Sequence, residues 1–382
     1  MQVGLDIFLS GKPGDYGRVG WLPSGSAVTS EGLVWGPEAA LEAGFSVVQI
    51  FGPEHGPHGA VKEGERFGHG VDDLTNLPVH SLYSSDSDRE GEDELVETVR
   101  RCDTLVVDLV DIGARYSTYI ATTMKLVDAA ASADRRVVLL DRPNLLGRRQ
   151  EGPGITDEQR SLVGALGVPI RHGLTLGELM RWYVRSNAKS VELDVVTVRG
   201  WDGAPAGLGN APYLPPSPNL NCLAAQYLYL GTCLTEGTNF SEGRGTTNPF
   251  QVVGAPWMDA TAVVSSLRKE DWPGVAFREV RFVPLAQKHA GFVCRGVFLH
   301  VTNPDVLRPV ELGVRMLALA FATSEKAGLR GGGENARTLD KLWGDVDLGD
   351  YLAQGGAGRG PFQVGHEGSF GEEIEPDLLY AD

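Results

Sequence analysis

The sequence predicts an α/β protein: a doubly wound parallel sheet joined to a second, smaller α+β domain. Apolar runs of strand length alternate with helical patterns through the first half of the 382 residues. Those runs are continuous rather than alternating, as strands covered on both faces require. A Pro/Gly-rich stretch, GAPAGLGNAPYLPPSPNLN (203–221), then separates this half from a region where strand and helix patterns mix. The domain boundary is placed there, giving domains 1–205 and 206–382.

The elements follow in order. RVGWLP (18–23) and SVVQIFGPE (46–54) read as strands, and TLVVDLVDIG (104–113) and RRVVLLDRPN (135–144) are clearer ones. Between them EDELVETVRR (92–101) spaces its apolar residues about one turn apart, and YIATTMKLVDAAASA (119–133) is rich in helix formers. VELDVVTVRGW (191–201) closes the first half. Beyond the boundary come FREVRFVPL (277–285) and CRGVFLHVTN (294–303), then the helical PVELGVRMLALAFATSEKA (309–327). GGGENA (331–336) and AQGGAGRGPFQVG (353–365) read as loops. No G-x-G-x-x-G stands between a strand and a helix, so the topology does not by itself imply a dinucleotide.

Composition narrows the function. A net charge of -16 argues against nucleic acid as a partner. Fifty glycines and 22 prolines point to many tight turns and long loops. Cys102, Cys222, Cys233 and Cys294 form no C-x-x-C pair, so they read as buried thiols rather than zinc or redox ligands. The opening MQVGLDIFLSGKPGDYG has no basic region followed by a long apolar run. Neither a signal peptide nor a membrane partner is expected, and the expected location is cytoplasmic.

Three of the strands end in polar, reactive residues, where open α/β sheets place their ligand crevice. In IFGPEHG, Glu54 and His55 leave a buried strand between Gly52 and Gly56. They read either as a turn-stabilising pair or as a general acid and its neighbour, for which a half-buried carboxyl is suited. In DLVDIGARYSTY, Asp108 and Asp111 are followed by Arg115 and Tyr119; Asp111 reads either as a cap for a helix from Tyr116 or as a catalytic carboxylate. Two aspartates with His55 would also be compatible with a metal, although no further ligand has recognisable spacing. LDRPN brings Asp141, Arg142 and Asn144 to a strand end, with Arg142 able to fork onto a carboxylate. RHGLTLGE places His172 before a helix that Thr175 is suited to cap. The segment LTEGTNFSEGRGTTNPF (234–250) sets Glu236, Asn239, Glu242 and Arg244 among glycines, a long polar loop suited to a polyhydroxylated ligand.

These pieces, with LPVHSLY, PPSPN (which carries Asn219), LYLGTCLTEGTNFSEGRGTTNPFQVVGAPW and CRGVFLHVTN, occur in an order that resembles the NamZ-type exo-β-N-acetylmuramidases over nearly the whole chain. The resemblance implies a Rossmann-like first domain, a smaller second one and a cleft between them. It implies a hydrolase, a glycosidase that releases N-acetylmuramic acid from the non-reducing end of peptidoglycan fragments, with a place in cell wall recycling. The family's acid of the GPEHG motif falls on Glu54, and its D-x-x-D-x-G-x-R motif on Asp108, Asp111 and Arg115.

On this reading Glu54 is the general acid and Asp111 the second catalytic group, with Glu236 and Glu242 behind it, or the substrate's own acetamido group as nucleophile. His55 and Asp108 would tune Glu54. Arg115, Arg142 or Arg244 would meet the lactyl carboxylate. Tyr119, Asp141, Asn144, His172, Asn219 and Asn239 complete the expected substrate-binding set. No cofactor and no metal is expected, and the partner is a small saccharide, a muropeptide or peptidoglycan fragment. The competing readings are a metal-dependent hydrolase and a non-catalytic protein that binds cell-wall saccharides.

Overall fold

The computed structural model describes residues 1–83, 89–205, 212–331, 337–356 and 369–380. Residues 206–211 of the boundary loop, and most of the two glycine-rich loops near the end, lie outside the described residues. The first sheet contains β1 (Arg18–Pro23), β2 (Ser46–Gly52), β3 (Gly70–Val71), β4 (Pro78–Ser81), β5 (Thr104–Asp108), β6 (Arg136–Leu140) and β7 (Leu193–Val196). Their order is β3-β4-β2-β1-β5-β6-β7. Pairing is parallel except for β3, which runs antiparallel to β4. The second sheet is antiparallel, with β8 (Val252–Ala255), β9 (Val275–Phe282) and β10 (Cys294–Val301) in the order β8-β10-β9. This is the α/β architecture with a smaller α+β part that the sequence predicts. β3, β4 and β8 were not anticipated; at two to four residues they are too short to show a period.

The continuous apolar runs have a direct cause. Leu105 pairs with Val137 and Val106 with Val138. Leu105, Val107, Val137 and Leu139 pack under the helices Thr118–Ala133 and Leu176–Ser186, while Val106, Val138 and Leu140 face the opposite layer with Leu5, Phe8 and Trp21. Successive side chains point to opposite faces, so a strand buried on both needs an apolar residue at every position. The helix Leu176–Ser186 starts as its sequence suggests: Thr175 Oγ1 accepts the Glu178 N–H, and the Glu178 carboxylate accepts the Thr175 N–H.

β1 lies between β2 and β5, so the chain departs to opposite sides of β1. The crevice of a doubly wound sheet opens at such a switch, beyond the carboxyl ends of the strands. Those ends are Pro23, Gly52 and Asp108.

In the second domain the helices Leu223–Thr232 and Pro309–Ala322 meet at glycines. A Cβ on Gly231 would lie 1.9 Å from the Pro309 carbonyl oxygen, a contact that no larger residue permits. This core also takes in Ile112, Ala114, Tyr116, Leu146 and Ile170 from the first half, so the two domains share buried surface. The segment 369–380 returns to the first domain. Phe370 and Ile374 join its core, Arg185 pairs with Asp377 at 2.8 Å, and the Tyr380 hydroxyl donates to Asp141 Oδ2 at 2.6 Å. Among the described residues no helix is long and apolar enough to cross a membrane. All four cysteines are free, with Cys102, Cys233 and Cys294 buried.

Candidate active site

β2 ends at Gly52 and the chain turns at once, with the Gly56 N–H donating to the Pro53 carbonyl at 2.9 Å. His55 takes a left-handed backbone (φ 71°), uncommon for a residue with a side chain. Contacts on both sides hold it there. Its Nδ1 lies 2.9 Å from the Val61 carbonyl and its Nε2 3.3 Å from Ser217 Oγ. The turn leaves Glu54 buried, with 8% of its surface exposed. Glu54 Oε1 accepts the Gly64 N–H at 2.9 Å, and Oε2 accepts the Thr118 hydroxyl at 2.6 Å. Tyr83 stands beside it; burial pushes the Tyr83 phenol up, and the charge of Glu54 and a hydrogen bond to it add to the rise.

Glu54 lies on the wall of a cavity of about 520 Å³ between the two domains, a size suited to a small ligand. The first domain contributes Glu54, His55, Glu63, Tyr83, Thr118 and Tyr119. The second contributes Glu236, Glu242, Arg244, Lys288 and Arg330.

An ionic cluster forms the far wall. Arg244 Nη1 is 2.6 Å from Glu236 Oε1 and 3.2 Å from Glu242 Oε1, and Nε is 3.7 Å from Glu63 Oε1. The guanidinium also lies over the Phe250 ring, 4.8 Å from its centre. Lys288 Nζ is 2.7 Å from Glu242 Oε2 and donates to the Thr235 and Thr238 carbonyls at 3.0 and 3.2 Å. Burial would raise Glu242, but Lys288 and Arg244 outweigh it and hold that carboxyl below its ordinary range. Burial raises Glu236; Arg244 opposes the rise, Glu242 adds to it, and the net direction is upward. Burial lowers Lys288 despite the attraction of Glu242. Gly245 lets the loop press against the β9–β10 connection: a Cβ there would meet Ala286 N at 2.6 Å, and its carbonyl accepts the Leu285 N–H at 2.9 Å. Glu63 spans the cavity, accepting from Asn219 Nδ2 at 3.0 Å and from Gln287 Nε2 at 2.8 Å.

Of the residues singled out from the sequence, the cavity brings together Glu54, His55, Tyr119, Glu236, Glu242 and Arg244. Tyr119 is turned to the Pro/Gly-rich segment, its hydroxyl donating to the Pro216 carbonyl at 3.2 Å. Asn219 reaches the site only through Glu63. The others do not line the cavity, and each has a partner that explains why. Asp111 Oδ2 accepts the Gly113 N–H at 2.8 Å and faces His172 Nε2 at 3.2 Å. His172 is fully buried, and its Nδ1 accepts the Leu174 N–H at 3.1 Å. Asp111 is not a helix cap either, because the helix begins at Thr118 behind Ser117. Asp108 is fully buried on Arg142, 2.9 Å from its Nε and 2.8 Å from its Nη2, and Arg142 also donates to the Val28 carbonyl. Burial raises Asp108 and Arg142 opposes it.

Arg115 is spent on backbone. It donates to the carbonyls of Pro153, Gly154, Val168, Leu342 and Trp343 at 2.6 to 3.0 Å, and burial pulls its pKa down to about 10. Asp141 accepts the Gly177 N–H at 3.0 Å in the first turn of the helix Leu176–Ser186, and burial raises its pKa to about 6. Asn144 bridges the Leu174 carbonyl and the Leu146 N–H; Asn239 bridges the Lys326 carbonyl and the Gly328 N–H. The metal reading loses its ligands for the same reason, since His55, Asp108 and Asp111 are each held by different groups. Among the described residues, the triplets of metal-capable side chains that approach one another are His69–His80–Glu94 and His58–Asp72–Asp73, both away from the cavity wall.

Sequence reasoning passed over Glu63, Tyr83, Thr118, Lys288 and Arg330. Glu63 lies only nine positions after Glu54 in the same glycine-rich segment, which was signal enough to include it.

Two family models match the chain: Exo-beta-N-acetylmuramidase NamZ, N-terminal, over residues 26–224, and Exo-beta-N-acetylmuramidase NamZ, C-terminal, over residues 227–363. The chain is 37% identical over 278 residues to Peptidoglycan beta-N-acetylmuramidase NamZ of Bacillus subtilis (strain 168). That match covers 72% of this chain and 65% of the relative, just under two thirds of its length. Two crystal structures of DUF1343 family proteins from Bacteroides fragilis NCTC 9343 are similar. One has a TM-score of 0.81 at 25% identity, covering 98% of this chain and 94% of that one. The other has a TM-score of 0.73 at 27% identity, covering 100% and 99%.

Proposed function

Because this chain belongs to the NamZ family of exo-β-N-acetylmuramidases, we infer that it is a glycosidase releasing N-acetylmuramic acid from the non-reducing ends of peptidoglycan-derived glycans. The observation that carries the reading is Glu54: a buried carboxyl, fixed through both oxygens, on the wall of an interdomain cavity. Glycoside cleavage needs an acid to protonate the departing oxygen while positive charge builds on the sugar ring. Glu54 Oε1 faces a backbone N–H, which can only donate. The transferable proton therefore belongs on Oε2, where the Thr118 hydroxyl can rotate to accept it. As the bond from C1 to the leaving oxygen breaks, that proton passes to the oxygen. Water later adds at C1 and returns a proton to the Glu54 carboxylate.

We assign the second role to Glu236 rather than Asp111. Glu236 lines the same cavity and keeps 28% of its side chain open, whereas Asp111 is turned to His172. Glu236 either stabilises the developing charge directly or orients the substrate's acetamido group for attack. Glu242 holds Arg244 and Lys288 in place. We place the cleft between domains 1–205 and 206–382, and an exo-enzyme working on released fragments belongs to cell wall recycling.

Incubation with a chromogenic N-acetyl-β-muraminide tests this reading. The wild type releases the chromophore with or without chelator, and Glu54→Gln lowers turnover by at least ~100-fold without loss of folding. Absence of release, abolition by chelator, or a Glu54→Gln variant that keeps most of its activity would each overturn it.

A further inference from the structure

Three carboxylates and two cations meet on the far wall: Glu63, Glu236 and Glu242 against Arg244 and Lys288. Fully ionised, the five leave one negative charge in excess, within a chain of net charge -16. A ligand carboxylate approaching that wall is repelled, because both cations are already committed. Arg244 is held by Glu236 and Glu242, and Lys288 by Glu242 and two carbonyls.

Arg330 lines the same cavity and is differently placed. Among the described residues no carboxylate stands within ion-pair distance of its guanidinium, and its side chain is exposed. Its backbone is nonetheless fixed. The Arg330 N–H donates to the Gly237 carbonyl at 2.8 Å, its own carbonyl accepts the Thr338 N–H at 3.2 Å, and Leu329 before it pairs with Thr238. The site loop is thus tied directly to the base of this side chain. Its charge reaches the cavity wall, where it contributes to the lowering of Lys288.

We propose that Arg330 reads the lactyl carboxylate of the bound sugar. This rests on the muramidase reading above. A planar guanidinium can take both oxygens of a carboxylate, and this one needs no existing ion pair broken to do so. It replaces Arg115, Arg142 and Arg244 in that role.

The test compares N-acetylmuramic acid with its lactyl methyl ester, which keeps the shape and removes the charge. Binding of both to the wild type, Arg330→Ala and Arg330→Lys is measured by calorimetry at low salt. The wild type should favour the acid by about 10-fold, the lower range for a hydrogen bond to a charged group because the side chain is solvated. Arg330→Ala should bring the acid down to the affinity of the ester, and Arg330→Lys should restore part of the difference. An acid-to-ester ratio unchanged in Arg330→Ala overturns the proposal, as does an equal loss for both ligands. Chromophore release by the wild type is scored separately. Its absence would reject the muramidase reading, whereas the ratio reports on Arg330 alone.

Discussion

Arg115 separates a structural from a ligand-reading role most sharply. Its family motif position suggests ligand binding, yet its guanidinium joins the connection between β6 and the helix Leu176–Ser186 to Leu342 and Trp343 of the helix Thr338–Trp343. Arg115→Met keeps the stem and removes every donor. Three of the five carbonyl contacts, to Val168, Leu342 and Trp343, are buried. A buried acceptor left without a donor costs ~1–3 kcal/mol, so three cost about 3–9 kcal/mol before relaxation, and about 3–5 kcal/mol once the freed carbonyls find water. Domains are commonly stable by only about 5–15 kcal/mol, so the variant should be close to unfolding. Urea denaturation followed by tryptophan fluorescence reads this as a lower midpoint, and Arg115→Lys should recover part of the loss. A variant that unfolds at the wild-type urea concentration but no longer binds N-acetylmuramic acid would refute the structural assignment.

Two further outcomes are expected. Thr118→Val removes the hydroxyl that orients Glu54 and should lower kcat by about 10-fold with little change in KM, while Thr118→Ser restores it; equal turnover in all three proteins would show that the hydroxyl has no such part. Asp141 holds its proton up to about pH 6 in the fold but loses it near pH 4 when unfolded. The native state therefore binds more protons between those values, and stability falls as pH rises through that window. Asp141→Asn should flatten this part of the curve of urea midpoint against pH, and an unaltered slope would count against it.

Glu54 was legible in the sequence because the apolar strand before it and the glycines around it fix both its burial and its turn. The Glu236 to Arg244 loop was legible because a long polar segment inside a folded chain has few uses other than binding. Asp111, Asp141 and Asn144 follow strand ends in the same way and His172 precedes a helix, and the structure uses all four to tie loops and cap a helix. Composition cannot distinguish these uses; the difference lies in which backbone group comes within 3 Å. Arg142 illustrates this, since its carboxylate partner is Asp108 on the neighbouring strand rather than the adjacent Asp141. Lys288 and Arg330 were invisible because each lies in a connection without periodicity, and only tertiary contact brings them to the cavity. The sheet was read well, since burial on two faces writes itself into the continuous apolar runs of β5 and β6. The edge strand β3, two residues long, leaves no such trace.

The contact between Tyr380 and Asp141 spans 239 positions. A ribosome delivers the first domain's strands and helices long before it delivers Tyr380, and the whole second domain emerges in between. Until then Asp141 Oδ2 and the Val198 N–H, which the same phenol also meets at 3.0 Å, must be served by water. Contacts so distant in sequence close late and slowly. The Rossmann-like half can thus assemble its sheet during translation but receives this buried hydroxyl only after the cavity's other wall has been made. Completion of the first domain thus waits on synthesis of the second.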